Sequence, residues 1–269
     1  MVEILELHPD GSVHTTTREG SLGSIAHEEP PGSAYLVART YPGGTVLRLE
    51  DHVARLERSA RSQGITVTVP VDELRALLRT HIREREMRFR VTLIPGDPPW
   101  YRISLEPAPA VPSEVLTHGA RCVVVPRSAR VDATVKSTTW MHQRQQITPP
   151  GDWYEVLLGD EHERILEGAT SNVYAVLRGS LYTAGAGVLP GIAREIVLTV
   201  APEVIPVVME PPAISDIGAF QECFISSATR GVVPVGRIGD VSLPAVPGPV
   251  TREIMARYAR YLKEQCSPL

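Results

Sequence analysis

The segment ILEGATSNVYAVLRGSLYTAGAGVLPGIAR, residues 165–194, holds the densest set of side chains with a chemical use. Glu167 falls at the end of a short strand, a small-residue turn follows, and Asn172 enters a second strand. Thr183 comes next, and then Gly191, Ile192 and Ala193 open a helix that carries Arg194. A glycine at a helix start leaves backbone N–H groups and the positive end of the helix dipole open to an anion, so the 191–193 amides could cradle a phosphate. A carboxylate held out of water, as Glu167 would be, can pair with a protonated heterocyclic nitrogen. Taken alone, this layout is better explained by an ordinary β-turn and a capped helix, and a functional reading needs further residues.

Other familiar chemistries lack their residues. The chain has no HExxH, no CxxC pair, no Walker A loop and no GxSxG elbow, which removes the usual support for zinc proteases, zinc ribbons, P-loop enzymes and serine hydrolases. GAGVLPG at 185–191 imitates a dinucleotide fingerprint, but its third glycine falls one residue late and no βαβ frame surrounds it. The eight histidines have no metal-ligand spacing, so no metal site is expected. Cys122, Cys223 and Cys266 are odd in number and far apart, which points to reduced thiols serving as small buried residues.

Composition narrows the class further. With 269 residues, 43% hydrophobic and 22% charged, the chain can bury a substantial core and fits a folded globular protein. Its 27 basic residues against 31 acids leave no cationic excess for a phosphate backbone, so no nucleic-acid partner is expected. The apolar stretch IVLTVAPEVIPVVM is broken by Pro and Glu well short of the roughly 20 residues of a membrane span. The start MVEILELHPDG has acids where a secretory signal carries its basic residues. The expectation is a cytoplasmic protein with no membrane partner.

The 24 prolines and 21 glycines imply many turns and a mixed α and β fold. Residues 1–32 read as short strands and loops. AYLVART, the PGG turn at 42–44 and TVLRL predict a hairpin. Leu49, Val53, Leu56 and Ala60 predict a helix from Leu49 to about Ser62, ended by Gly64, and Leu74, Leu77, Leu78 and Ile82 a second one from near Asp72. MRFRVTLIPG and WYRISLEP alternate with the two-residue period of strands. EPAPAVPSE, residues 106–114, reads as a linker between domains. Beyond it RCVVVP, WYEVLLG, SNVYAVLRG, SLYT and ECFISSA read as strands, with helices near 191–201 and 251–264.

The 165–194 segment resembles the signature of the fold-type IV pyridoxal-phosphate enzymes. These are the class IV aminotransferases, a superfamily that includes branched-chain aminotransferases, D-amino acid aminotransferases and aminodeoxychorismate lyases. Glu167, Ala169, Asn172, Val173, Tyr174, Thr183, Leu189, Gly191, Ile192 and Arg194 all fit it. LRLEDHVARLERSA at 47–60 is similar to the family helix with His-x-x-Arg-Leu, here His52, Arg55 and Leu56, in which the arginine reaches the cofactor phosphate. Ser59 faces the same way one turn on. RVDATVKSTTW at 130–140 is similar to the segment that ends in the Schiff-base lysine, which makes Lys136 the candidate. ECFISSATRGVVPV at 222–235 is similar to the final phosphate-side strand and turn, with Ala228 where a threonine is usual and Ser227 or Thr229 to substitute.

Departures cluster on the substrate side. Met141 stands where branched-chain enzymes have a tyrosine, AYLVAR replaces a glycine-aromatic-Glu segment, and no Arg-x-His pair follows the IPG turn. The Ala184–Val188 loop is short. Arg39 and Arg90 are left as candidate substrate-binding residues.

The resemblance covers about residues 33–236. It implies an α/β (α+β) fold-type IV protein with an N-terminal α/β sandwich over residues 1–108, a linker at 109–116 and a C-terminal strand-rich pseudobarrel over 117–269, assembled as a homodimer. It also implies a pyridoxal 5'-phosphate-dependent aminotransferase with a small-molecule amino donor and a keto acceptor. Lys136 would bond the cofactor and move the substrate proton, and Glu167 would keep the ring nitrogen protonated. Arg55 and the amides of Ile192 and Ala193 would hold the phosphate, with Asn172, Gly191 and the Ser227–Ala228–Thr229 turn completing the cofactor side. A lyase using the same residues is the alternative. A scaffold without catalysis is a second, and the retained Lys136 and Glu167 argue against it.

Overall fold

The computed structural model describes residues 1–269. The chain runs through β1 (Val2–Leu7), β2 (Val13–Arg18), a 3-10 turn (Ser24–Glu28), β3 (Ala34–Tyr41), β4 (Thr45–Leu47), α1 (Leu49–Ser62), α2 (Val71–Ile82), β5 (Met87–Ile94) and β6 (Trp100–Pro107). It continues with α3 (Ser113–His118), β7 (Ala120–Val125), α4 (Thr138–Ile147), β8 (Glu155–Gly159), β9 (Ile165–Gly168), β10 (Asn172–Leu177), β11 (Ser180–Tyr182) and α5 (Ile192–Val200). The last elements are β12 (Val207–Val208), β13 (Glu222–Ser227), β14 (Gly231–Ile238), β15 (Val241–Ser242), α6 (Pro249–Gln265) and β16 (Cys266–Pro268). No helix is long and apolar enough to cross a membrane.

Two compact units result: Met1–Pro109 with Val135–Gln146 and Gln265–Leu269, and Ala110–Thr134 with Ile147–Glu264. The boundaries read from the sequence place 135–146 and 265–269 with the second unit, whereas both segments pack with the first. The Thr138 N–H donates to the Ser33 carbonyl at 2.9 Å and the Leu269 N–H to the Gly44 carbonyl at 3.1 Å. Backbone pairing of this kind leaves no mark on residue composition. The proline-rich stretch after residue 106 leads directly into α3, whose N-cap is Pro112.

The first unit is an antiparallel sheet ordered β16-β4-β3-β5-β6-β1-β2. Strand alternation divides its faces. Leu36 and Ala38 on β3, Phe89 and Val91 on β5, and Ile103 and Leu105 on β6 share one core with Leu49, Val53 and Leu56 of α1 and Leu74, Leu78 and Ile82 of α2. The helix stripes expected from the sequence are therefore the buried ones. The expected hairpin also forms, but its second strand stops at Leu47: Arg48 turns left-handed at φ 47° and Leu49 opens α1. The other sheet face carries Tyr35, Val37 and Arg39 opposite Thr92, Arg90 and Arg88, with Ser104 beside Arg90 on β6.

The second unit contains a closed barrel. β10, β13, β14, β7, β8 and β9 are successive neighbours, and β9 pairs again with β10, so six strands close without a free edge. Cys122, Leu157, Val173, Ala175, Ile225, Val233 and Val235 belong to its apolar core. The closing pair is Glu167 opposite Asn172.

Leu56 is 1% exposed and adjoins Arg55 on α1. Leu56→Ala is expected to cost about 2–5 kcal/mol of stability, the range for emptying a packed leucine site. Urea denaturation should show this as a lower midpoint with little change in slope.

Candidate active site

In the first unit Lys136 is held by its backbone from two elements. Its N–H donates to Ser59 Oγ on α1 at 3.1 Å, and its carbonyl accepts from the Tyr35 N–H on β3 at 3.0 Å. Ser137 bridges to Ala34, and Thr138 donates its hydroxyl to the Pro30 carbonyl at 2.7 Å. The Lys136 Nζ lies 4.8 Å from the centre of the Tyr35 ring, a cation–π distance. Tyr35 comes from the AYLVAR stretch, where the sequence fits the family least.

Arg55 is buried one turn before Ser59 on α1, with Nη2 3.5 Å from His52 Nδ1. A guanidinium carries five donors in a fixed fork, which suits an anion with several oxygens. His52 is buried as well. That burial, followed by the charges of Arg55 and Lys136, holds its pKa well below the usual imidazole range. It is therefore neutral at neutral pH.

In the second unit, residues facing each other across β9 and β10 hold both polar groups of one residue. Glu167 Oε2 accepts the Leu189 N–H at 3.0 Å, and Asn172 Nδ2 donates to the Leu189 carbonyl at 3.1 Å. Glu167 Oε1 receives Arg130 Nη1 at 3.4 Å, and both side chains are buried. α5 starts two residues beyond Pro190, with Gly191 as an extended N-cap and no side chain capping the helix. A Cβ at Gly191 would stand 2.5 Å from Asn172 Oδ1, so any larger residue would push the Asn172 amide away from its bond to Leu189. Thr183 donates to the Val173 carbonyl at 2.8 Å, and Arg194 to the Ala184 carbonyl at 2.6 Å. These two signature residues stitch the short loop before α5 in place.

The last phosphate-side candidates form the turn between β13 and β14. Ser227 Oγ accepts Arg230 Nε at 3.1 Å, and Ala228 and Thr229 lead into Arg230. This turn is fixed by a residue that no sequence motif marks. Glu155 Oε2 on β8 accepts Arg230 Nη2 at 2.9 Å, Thr170 Oγ1 at 2.5 Å and Ser171 Oγ at 2.9 Å. One carboxylate thus ties the 227–230 turn to the turn that follows Glu167. Its only sequence signal is a charge inside the apolar run WYEVLLG.

The substrate candidates are both paired. Arg39 meets Glu86 at 2.7 Å, and Arg90 meets Glu29 at 2.5 Å with both side chains buried. Met141 is buried against Tyr35, and Arg90 Nη1 lies 3.7 Å from its sulfur. Each unit has its own groups: the second has an uncapped helix start at α5, which suits an anion, and a buried carboxylate at Glu167, which suits a protonated heterocyclic nitrogen, and the first has at Lys136 an amine on a fixed backbone, which suits an aldehyde.

Residues 34–238 match the amino-transferase class IV family. A probable branched-chain-amino-acid aminotransferase of Thermotoga maritima is 28% identical over 248 residues, covering 89% of each chain. A D-alanine aminotransferase of Listeria monocytogenes is 25% identical over 266 residues, covering 87% of this chain and 88% of its own. The crystal structure of a putative branched-chain amino acid aminotransferase from Thermotoga maritima matches with a TM-score of 0.79 at 26% identity, over 97% of this chain and 96% of that one. An aminotransferase from Brucella abortus, solved with pyridoxal phosphate, shares the fold with a TM-score of 0.76 at 20% identity, over 96% and 99% of the two chains. An antiparallel sheet with helices, joined in one chain to a six-stranded barrel, is the α+β architecture of fold type IV. The chain belongs to the class IV aminotransferase family.

His52 gives the fold a pH dependence. Its folded pKa lies below the unfolded value of about 6.5, so its contribution is complete above that pH and is lost as pH falls below it. Urea midpoints should drop from neutral pH toward pH 5, and His52→Gln should flatten that part of the profile.

Proposed function

We propose that the protein is a pyridoxal-phosphate-dependent aminotransferase that takes a small amino acid or amine as donor and a keto compound as acceptor. The observation that carries this reading is a class IV match enclosing Arg55, Lys136 and Glu167, with the lysine backbone fixed by Ser59 and Tyr35. When bound, the cofactor supplies an aldehyde that captures amines and a ring that takes up electrons from the substrate Cα.

The protein's residues do the rest. Lys136 would hold the aldehyde through its amine and, once the donor amine has taken its place, would act as the base that takes the proton from the substrate Cα and delivers it to the former aldehyde carbon on the other side of the donor nitrogen. The two backbone hydrogen bonds around it fix where its four-carbon stem begins, which limits the orientations of the amine. Glu167, oriented by the Leu189 N–H, would accept the ring N–H and keep it protonated. Arg55, the Ile192 and Ala193 amides and the Ser227–Thr229 turn are the groups that would hold the cofactor phosphate. The named relatives are a probable branched-chain-amino-acid aminotransferase and a D-alanine aminotransferase. With Met141 and the Glu29–Arg90 pair beside Tyr35, slow turnover of both substrate types is expected.

Borohydride treatment of the holoenzyme should attach the cofactor to the peptide containing Lys136, and Lys136→Ala should take up no label. A label on another peptide would remove Lys136 from the reaction. Arg55→Ala should weaken cofactor binding roughly ten- to a hundredfold, the loss expected for one charge-assisted hydrogen-bonding group. An unchanged dissociation constant would exclude Arg55.

Glu167→Gln should still bind cofactor while turnover falls by orders of magnitude. With an active donor and no acceptor, the wild type should release one equivalent of keto acid per bound cofactor. Continued release without acceptor would show elimination and overturn the aminotransferase assignment.

A further inference from the structure

The polar face of the first unit's sheet contains a buried layer that the mechanism does not use. Arg90 is 2% exposed and Glu29 2% exposed, and their charged groups are 2.5 Å apart. In this layer Glu29 Oε2, Arg90 Nε, Thr92 Oγ1 and Ser104 Oγ are all buried without a hydrogen-bond partner in the protein. Thr92 and Ser104 are fully buried. Unmatched polar atoms at this density are rare in folded proteins, because each costs its full desolvation unless water or a ligand satisfies it.

The layer reaches the candidate lysine through Tyr35. In the β3–β5 ladder Tyr35 pairs with Thr92 and Val37 with Arg90, so these four side chains share one face. Ser104 adjoins Arg90 on the same face from β6. The Tyr35 ring lies under Lys136 Nζ at 4.8 Å, and Met141 packs against Tyr35 while touching Arg90.

We infer that this layer receives the far end of the substrate and selects a neutral group that both donates and accepts hydrogen bonds, a hydroxyl or a carboxamide, against a second carboxylate. The inference rests on the aminotransferase reading above. Its basis is charge: Glu29 already occupies Arg90, and Arg39, Arg88 and Arg102 on the same face are paired with Glu86, Glu106 and Glu6, so a substrate carboxylate would meet a buried carboxylate beside a guanidinium that is already matched. A carboxamide, by contrast, can donate to Glu29 Oε2 and accept from Arg90 Nε, one unmatched atom on each side of the pair. Arg144 on α4 is a further cation whose field reaches Arg90, but Glu29 is the stronger influence there.

The test compares isosteric acids and amides. Holoenzyme is mixed with either enantiomer of glutamate, glutamine, aspartate and asparagine, and keto product is followed. In parallel, calorimetry measures binding of glutarate and of its half-amide, a readout that needs no turnover. The amides should be favoured over the acids by about tenfold or more in kcat/KM, and the half-amide over glutarate by a similar factor in Kd, the scale set by one mismatched buried group.

Glu29→Gln alone leaves Arg90 buried without its counter-charge and can fail to fold, so the variant used is the double substitution Glu29→Gln with Arg90→Gln, which removes both charges. It should lose most of the amide preference. Equal treatment of acids and amides by the wild type, preference for the acids, absence of binding by both glutarate and its half-amide, or an amide preference unchanged in the double variant would each overturn the inference. Binding that discriminates between the two probes without any keto product would instead sustain this inference and refute the aminotransferase reading.

Discussion

The pairing of Glu167 with Asn172 is the constraint on which the second unit depends. It closes the six-stranded barrel, and directly opposed residues in an antiparallel pair present their side chains to the same face. Both side chains reach Leu189, one accepting its N–H and the other donating to its carbonyl. With that peptide fixed, the start of α5 is fixed too, and Gly191 follows because Asn172 Oδ1 stands where a Cβ would be. A single β-pair therefore sets the buried carboxylate and the open helix terminus at once. A slip of one residue in either strand would put the two side chains on opposite faces and undo the shared grip on Leu189.

The first unit solves a different problem, that of presenting a flexible lysine from an irregular segment. Lys136 precedes α4 and has no strand of its own, yet its peptide is bonded to α1 on one side and β3 on the other. The long apolar stripe of α1 seats that helix against the sheet, which is what makes Ser59 a stable anchor. Stability from the core is thus spent on geometry at one residue. Glu155 does similar work in the second unit, where one buried carboxylate joins two turns and is compensated by Arg230 and two hydroxyls.

Local patterns carried most of what the sequence revealed. The stripes of α1 and α2, the β3–β4 hairpin and the alternation in β5 and β6 follow from periodicities within single segments. The family signature was legible because Glu167, Asn172, Thr183, Gly191 and Arg194 act within one continuous stretch, clamping one loop to one hairpin. α4 was not legible: in TTWMHQRQQI only Thr138, Trp140 and Met141 are buried, too few to form a stripe. The assignment of residues 135–146 to the first unit was equally hidden, since it rests on backbone hydrogen bonds to Ser33, Tyr35 and Ser59. Glu29 could not be found either. It lies in a polar run, HEEPP, and becomes buried only because that segment covers the sheet face carrying Arg90.

Arg55 and Arg90 show why residue type alone does not assign a role. Both are arginines buried in the first unit, and the sequence offered both as binding residues. Beside Arg55 stands His52, which burial keeps neutral, so this neighbour does not cancel the guanidinium charge. Beside Arg90 stands Glu29, whose carboxylate does. A doubly charged phosphate would be drawn to the first arrangement, and a second carboxylate would be repelled by the acid of the second. The partner within hydrogen-bond reach, supplied in one case by the same helix and in the other by a covering loop, decides what each arginine can recognise.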